Sequence, residues 1–254
     1  MSLEYNNSPY KKIPEELKNE YTMNGKIPIF NWYFDGRKQD GVKWSNSLIN
    51  SQINKYTPYN IRNDPKVGID AYGNQVCVNL LNSFEDYNIR NKNVAVVGSE
   101  TPWIEAMLLN MSNKVTTIEY NVPDGNFENI QLQCKDYFNH FEKNKEIYDA
   151  IITFSSIEHS GLGRYGDPLD PNGDIKTMNN IYNNLIDNGL VIWGAPVGKD
   201  VLSWNAHRIY GPVRLPLIFN KFKELKWYGF TKEELFAKTA SKNSFAQPVV
   251  VLQK

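Results

Sequence analysis

Residues 94–120 read VAVVGSETPWIEAMLLNMSNKVTTIEY. The run Val94, Ala95, Val96, Val97 ends at Gly98. Thr101 and Pro102 then open an amphipathic stretch, with Thr101 placed to cap a helix and Pro102 to sit in its first turn, where a missing N–H costs nothing. A second run, Val115–Ile118, ends in the acid Glu119. Strand, turn, helix, strand, acid is the order in which a parallel α/β sheet builds a nucleoside pocket. The glycine lets the backbone approach the ligand, and an acid about 20 residues on accepts hydrogen bonds from ribose hydroxyls.

The loop also speaks to which nucleoside. A pyrophosphate calls for several glycines, so that N–H groups can crowd the phosphates. Here Gly98 is followed by Ser99, Glu100, Thr101, Pro102 and Trp103. Such a loop suits S-adenosylmethionine, which has a ribose and an amino-acid tail but no phosphate. The bland reading is an ordinary βαβ unit whose acid is merely at the surface.

The chain has 254 residues, enough for one large α/β domain or a domain with an extension. Its 28 basic and 28 acidic residues balance, so nothing draws in nucleic acid or an anionic membrane. No stretch approaches the length of a membrane-spanning helix, and the first residues, MSLEYNNSPYKK, lack the apolar run of a signal peptide. Cys77 and Cys134 have no metal-type spacing and suit a reducing, cytoplasmic setting. The wealth of Asn, Lys, Ile and Tyr is that of an AT-rich bacterial genome.

Residues 1–70 are irregular and aromatic, with one helix expected over Pro14–Tyr21. They read as an extension to a domain over 71–254, serving either as a lid or as an arm joining two copies in a homo-oligomer. Asn74–Tyr87 has helical spacing. From residue 92 strands and helices alternate, which predicts a mostly parallel sheet. Expected strands are Asn93–Val97, Lys114–Glu119, a short one near Gln131–Cys134 after a weaker segment from Phe127, Tyr148–Phe154, Leu190–Trp193, Phe222–Tyr228 and Pro248–Gln253. Expected helices run to Asn110, over Tyr137–Asn144, over Asp174–Ile186 with a cap at Asn188-Gly189, and over Thr231–Lys238. Residues 194–216 read as a long loop. A helix between the last two strands implies an antiparallel insertion at the sheet's end.

Ligands of open α/β sheets sit at the carboxyl ends of the strands. Glu119 and Tyr120, Asp136 and Tyr137, and Ser155 follow successive expected strands there and join the cofactor candidates. Asp136 can accept from an adenine amino group or simply cap a helix. The segment SSIEHSGLGRYGDPLDPNGD, residues 155–174, packs Glu158, His159, Arg164, Tyr165, Asp167, Asp170 and Asp174 among four glycines. It is too charged to be buried without partners and too glycine-rich for a helix. His159 is a candidate general base. Glu158, His159 and Asp174 could instead hold Mn²⁺ or Mg²⁺; the bland reading for each Asp is a turn. In SWNAHRIYGPVRLP, residues 203–216, His207 is the alternative base, and Arg208 and Arg214 can grip an anionic acceptor in two-pronged fashion. Arg164 and Tyr165 join them as acceptor candidates. His140 reads as a surface residue.

Taken together, VVGSETPWIEA, IEY, the 155–174 segment and NAHRIYG resemble a bacterial and eukaryotic family of methyltransferase-like proteins known only as a domain of unknown function. The resemblance covers roughly residues 70–230. Its members resemble class I S-adenosylmethionine methyltransferases and often accompany surface-polysaccharide genes. The resemblance implies a Rossmann-like α/β fold with a seven-stranded sheet, Gly98 and Glu119 at the cofactor, and the EHSGLGRYGD and His207 loops at the acceptor. The expected activity is O-methyl transfer to a sugar hydroxyl or phosphate-type oxygen of a capsular polysaccharide or a small precursor. The alternative is a catalytically inactive module that keeps the fold and binds a glycan or a protein. A nicotinamide-dependent sugar enzyme is disfavoured by the single glycine.

Overall fold

In a computed structural model, which describes residues 9–37, 41–125, 128–143 and 146–254, the seven expected strands form one sheet. They are β1 (Asn93–Val97), β2 (Lys114–Glu119), β3 (Leu132–Asp136), β4 (Tyr148–Phe154), β5 (Leu185–Gly194), β6 (Lys223–Tyr228) and β7 (Val249–Gln253). Their order is β6-β7-β5-β4-β1-β2-β3, and β7 is antiparallel to both its neighbours. The rest of the sheet is parallel. Parts of the expected N-terminal extension and of the segments beginning at Phe127 and ending at Asn144 lie outside the described residues.

Both faces of the sheet are covered, which is why its central strands are unbroken apolar runs. Val94 and Val96 pack with Leu80, Phe84 and Leu108, whereas Ala95 joins Ile151, Ile181 and Trp193 on the opposite face. The first group belongs to α1 (Gly73–Asp86) and α2 (Trp103–Leu109), and Ile181 to α3 (Gly173–Asn183). Alternation along one strand thus feeds two cores. Strand order reverses between β1 and β4, so a crevice opens where Gly98 and Ser155 leave the sheet.

Several local expectations are corrected. Pro102, not Thr101, stands at the cap of α2, and no side chain caps that helix. Asn188-Gly189 does not cap a helix: α3 ends at Asn183, and Asn188, at φ +60°, lies within β5, whose pairing with β4 shifts register there. The loop over 194–216 contains strands Val201–Asn205 and His207–Ile209, which form a three-stranded sheet with Ile29–Trp32. The segment before residue 71 also holds helices Asn46–Lys55 and Pro58–Asn63, capped by Ser45 and Thr57. Asn110 ties α2 to the first of them through Ile53 O at 2.8 Å. His140 is buried, with Nε2 at 2.8 Å from the Tyr148 hydroxyl.

One buried ion cluster locks the 155–174 loop to the 201–209 hairpin. Arg214 holds Asp174 with two parallel bonds, Nε to Oδ2 at 2.8 Å and Nη2 to Oδ1 at 2.6 Å. Arg208 Nε stands 3.5 Å from the same carboxylate, and Tyr210 donates to it at 3.1 Å. The guanidinium groups go on to cap loop carbonyls, Arg208 that of Ser160 at 2.7 Å and Arg214 that of Pro171 at 2.6 Å. Burial alone would raise Asp174, but Arg208 and Arg214 hold it below the ordinary carboxylate range. Arg208 and Arg214 are therefore not acceptor grips, and Asp174 is not a metal ligand: each is consumed by the others. Asp174→Ala leaves two buried cations unpaired, so urea unfolding is expected to show a loss of about 3–5 kcal/mol. A loss within the range of an exposed ion pair would contradict the cluster's role.

Candidate functional site

Gly98 follows β1 at φ +82°, and a Cβ there would stand 1.8 Å from Ser156 Oγ. Only glycine lets the ends of β1 and β4 approach so closely. The next amide, Ser99 N–H, donates to Glu119 Oε1, and Tyr120 N–H donates to Oε2 at 3.1 Å. Glu119 thereby straps the loop after β1 to the end of β2. Burial pushes its pKa up to about 7. Beneath the loop lies Glu105, wholly buried, accepting from Ser99 Oγ at 3.1 Å and Thr117 Oγ1 at 2.8 Å. Burial pushes it to about 7 as well. Trp44 fixes the loop from outside, its Nε1 donating to Glu100 O at 3.1 Å.

Beyond β4, Ser155 adopts φ +51°, a conformation that favours glycine. Its hydroxyl receives Tyr72 Oη–H at 2.7 Å and Gln247 Nε2 at 3.2 Å, and itself donates to Glu158 Oε1 at 3.1 Å. Burial raises Glu158 to about 7, against the lowering effects of Ser155 and Arg164, and its Oε2 has no partner. His159 Nδ1 lies 2.6 Å from Ala206 O. A carbonyl only accepts, so Nδ1 carries the hydrogen and Nε2 presents its lone pair, 3.6 Å from Glu158 Oε1. Burial, helped by Arg164, holds His159 neutral, well below its ordinary pKa. His207 stands edge-on to Trp32 and Phe245, at 5.2 and 5.4 Å, with Nε2 buried and unpartnered. Burial and Arg164 lower it to about 4.

These groups surround one cavity of about 1050 Å³. The loops after β1 and β2 contribute Gly98, Ser99, Glu100, Thr101 and Trp103, then Glu119 and Tyr120. The loop after β4 contributes Ser155, Glu158, His159, Arg164 and Tyr165, and the hairpin contributes His207. Three cofactor candidates fall outside. Pro102 is buried at the start of α2. Asp136 caps its own turn, accepting from Asn139 N–H at 2.9 Å. Tyr137 packs under Tyr120 at 4.6 Å and shares a hydrogen bond with Thr177 at 2.9 Å. Among the described residues no three His, Cys, Asp or Glu side chains converge to hold a metal, so the Mn²⁺ or Mg²⁺ expectation has no ligand set here. No helix among them is long and apolar enough to cross a membrane.

Sequence reading missed Tyr72, Gln247, Trp32 and Phe245, which reach the cavity from far along the chain. Glu105 did carry a signal: it is a lone acid in the otherwise apolar WIEAMLL.

Residues 91–254 match the model of a family described as "Caenorhabditis protein of unknown function, DUF268". The chain belongs to that family. No curated protein matches the sequence significantly. Among solved structures, the chain is similar to 1,6-didemethyltoxoflavin-N1-methyltransferase of Burkholderia thailandensis, which holds 1,6-didemethyltoxoflavin and S-adenosylhomocysteine. That match has a TM-score of 0.50 and 12% identity, and covers 68% of this chain and 76% of the other. The N-methyltransferase NodS of Bradyrhizobium japonicum, bound to S-adenosylhomocysteine, aligns with a TM-score of 0.48 and 8% identity over 82% of this chain and 97% of NodS. The fold is the Rossmann-like fold of class I S-adenosylmethionine-dependent methyltransferases.

Glu105 yields a test of the buried acid. Its folded pKa, about 7, lies above that of an unfolded glutamate. Its contribution to stability is therefore full at acid pH and is lost as the pH rises to about 7. The unfolding free energy of wild type relative to Glu105→Gln is expected to fall between about pH 5 and about pH 8. A flat difference would mean that Glu105 stays ionised throughout.

Proposed function

We propose that the chain is an S-adenosylmethionine-dependent O-methyltransferase acting on a hydroxyl of a sugar in a surface polysaccharide or its precursor. One observation carries the reading: Glu158 and His159, a buried acid–base pair, open on the same cavity as the Gly98 loop and Glu119. The residues present fit the cofactor. Glu119 is anchored by two backbone N–H groups, and its remaining lone pairs are available to ribose hydroxyls. Carboxyls poised near neutrality suit a cationic ligand. When bound, S-adenosylmethionine would supply an electrophilic methyl group on a sulfonium.

Methyl transfer to an alcohol needs the hydroxyl aligned and its proton removed. Glu158, with a pKa about 7 and an unpartnered Oε2, is matched to accept that proton near neutrality. His159 Nε2 shares the load across the 3.6 Å gap, and Ala206 O holds its ring in the required tautomer. Trp32 and Phe245 offer the apolar walls on which the C–H faces of a sugar rest. The polysaccharide setting follows the family resemblance in the sequence. In this reading the segment before residue 71 is a cover for the acceptor, since Trp32, Phe34 and Gly36 line the cavity.

Calorimetric titration with S-adenosylhomocysteine is expected to show micromolar binding, unchanged in His159→Ala and Glu158→Gln, while turnover with S-adenosylmethionine is lost in both. Absence of binding to the wild type would sink the reading. The rate should also rise with pH through about 7, because Glu158 must be deprotonated to act. Ser155→Ala removes the hydrogen bond that favours the carboxylate, so this limb should move to higher pH. A limb that stays in place in Ser155→Ala would remove Glu158 from the role of base.

A further inference from the structure

Arg164 is the one cavity-lining arginine that forms no salt bridge among the described residues, its charge reaching Glu158 only from beyond ion-pair distance; Arg37, at the same cavity, is paired with Asp35 at 2.6 Å. The Arg164 guanidinium lies between two rings, its Cζ 5.0 Å from the Phe34 centroid and 4.9 Å from that of Tyr165. Those rings fix its plane. Nη1 is engaged, donating to Ala206 O at 2.9 Å and standing 3.4 Å from His159 Nδ1. Among the described residues Nε is buried and has no partner, and Nη2 makes no hydrogen bond or ion pair. The vacant Nε–Nη2 edge is the edge that a carboxylate or phosphate takes with two parallel bonds. A buried, unsatisfied N–H is costly in a native protein unless something comes to meet it.

The neighbours do not supply that partner. His159 and His207 are held neutral by burial, and Asp167, though it lines the cavity, has both oxygens engaged by the amides of Gly161, Gly163 and Tyr165. Glu158 turns Oε1 to Ser155 and His159, and although the Arg164 charge lowers its pKa, the two groups form no ion pair among the described residues.

We infer that Arg164 receives an oxyanion, a carboxylate or phosphate, borne by the acceptor as a recognition group distinct from the hydroxyl that is methylated. This rests on the methyltransferase reading and narrows its substrate to acidic acceptors. It also relocates the anion grip that the sequence suggested for Arg208 and Arg214. Both lie in the buried Asp174 cluster, whereas Arg164 faces the cavity.

The test observes the Arg164 Nε–H resonance by ¹⁵N NMR in the full chain saturated with S-adenosylhomocysteine. The resonance is assigned by its loss in Arg164→Lys. Inorganic phosphate, acetate and neutral methyl glucoside are titrated in turn. A saturable shift with phosphate or with acetate, and none with the glucoside, is the expected result; which anion acts tells a phosphate-bearing from a carboxylate-bearing acceptor. In Arg164→Lys, which keeps the charge but not the fork, the affinity for that anion, followed by calorimetry, should fall roughly tenfold or more, with S-adenosylhomocysteine affinity unchanged. No shift with either anion, or an equal shift with the glucoside, overturns the inference while leaving the methyltransferase reading standing. Loss of S-adenosylhomocysteine binding in the wild type overturns the methyltransferase reading instead.

Discussion

Asp174 sits where water does not reach, and two arginines sit there with it. A buried charge without a partner is among the most costly features a protein can carry. That cost makes the cluster directional. The 155–174 loop and the hairpin over 201–209 can pack only in the register that brings Arg208 and Arg214 to Asp174. The same register puts Ala206 O against His159 Nδ1 and against Arg164 Nη1. The tautomer of the histidine and the orientation of the cavity arginine are thus fixed by an ion cluster that does not touch the cavity. The His159 half of the site is assembled by salt-bridge chemistry, whereas the Gly98 half is assembled by backbone geometry.

Burial then acts on the acids and the histidines with opposite sign. It raises Glu105, Glu119 and Glu158 and lowers His159 and His207, because in each case it disfavours the charged form. Near neutral pH the three acids are therefore close to changing charge while the two histidines are neutral. A cationic ligand entering would be met by acids that ionise in its field. An anionic one would be met by Arg164. A sulfonium donor and an acidic acceptor place complementary charges in one space, which lowers the cost of bringing both out of water.

The sheet was readable because each of its strands is a short apolar or alternating run bounded by turn residues, and such runs report burial directly. Gly98 and Glu119 were readable because they sit at fixed places on that scaffold. What escaped were contacts between distant segments. Tyr72 and Gln247 reach Ser155 across 83 and 92 residues, and no local pattern announces them. Arg208, Arg214 and Asp174 were visible as charges but not as partners of one another. A charge-dense segment reads identically whether it faces a ligand or another loop. The hairpin over 201–209 was hidden for a related reason: its strands are buried throughout and short, so they lack the alternation of a half-exposed strand.

The lone glycine of the first loop now has a structural counterpart. A pyrophosphate site needs several loop N–H groups free to point at the ligand. Here Gly98 N–H bonds to Ile118 O at 3.0 Å, Ser99 N–H to Glu119, and Trp103 N–H to Thr101 O at 2.8 Å. Below them the Glu105 carboxyl is buried, accepting from Ser99 Oγ. Donors that are already engaged, beside an acid able to turn negative, disfavour phosphate at this loop. They do not disfavour a ribose, whose hydroxyls call for an acceptor such as a carboxylate and not for free amides. The same atoms that disfavour a dinucleotide therefore suit a nucleoside without phosphate better, and they do so through the loop's internal bonding as much as through the number of its glycines.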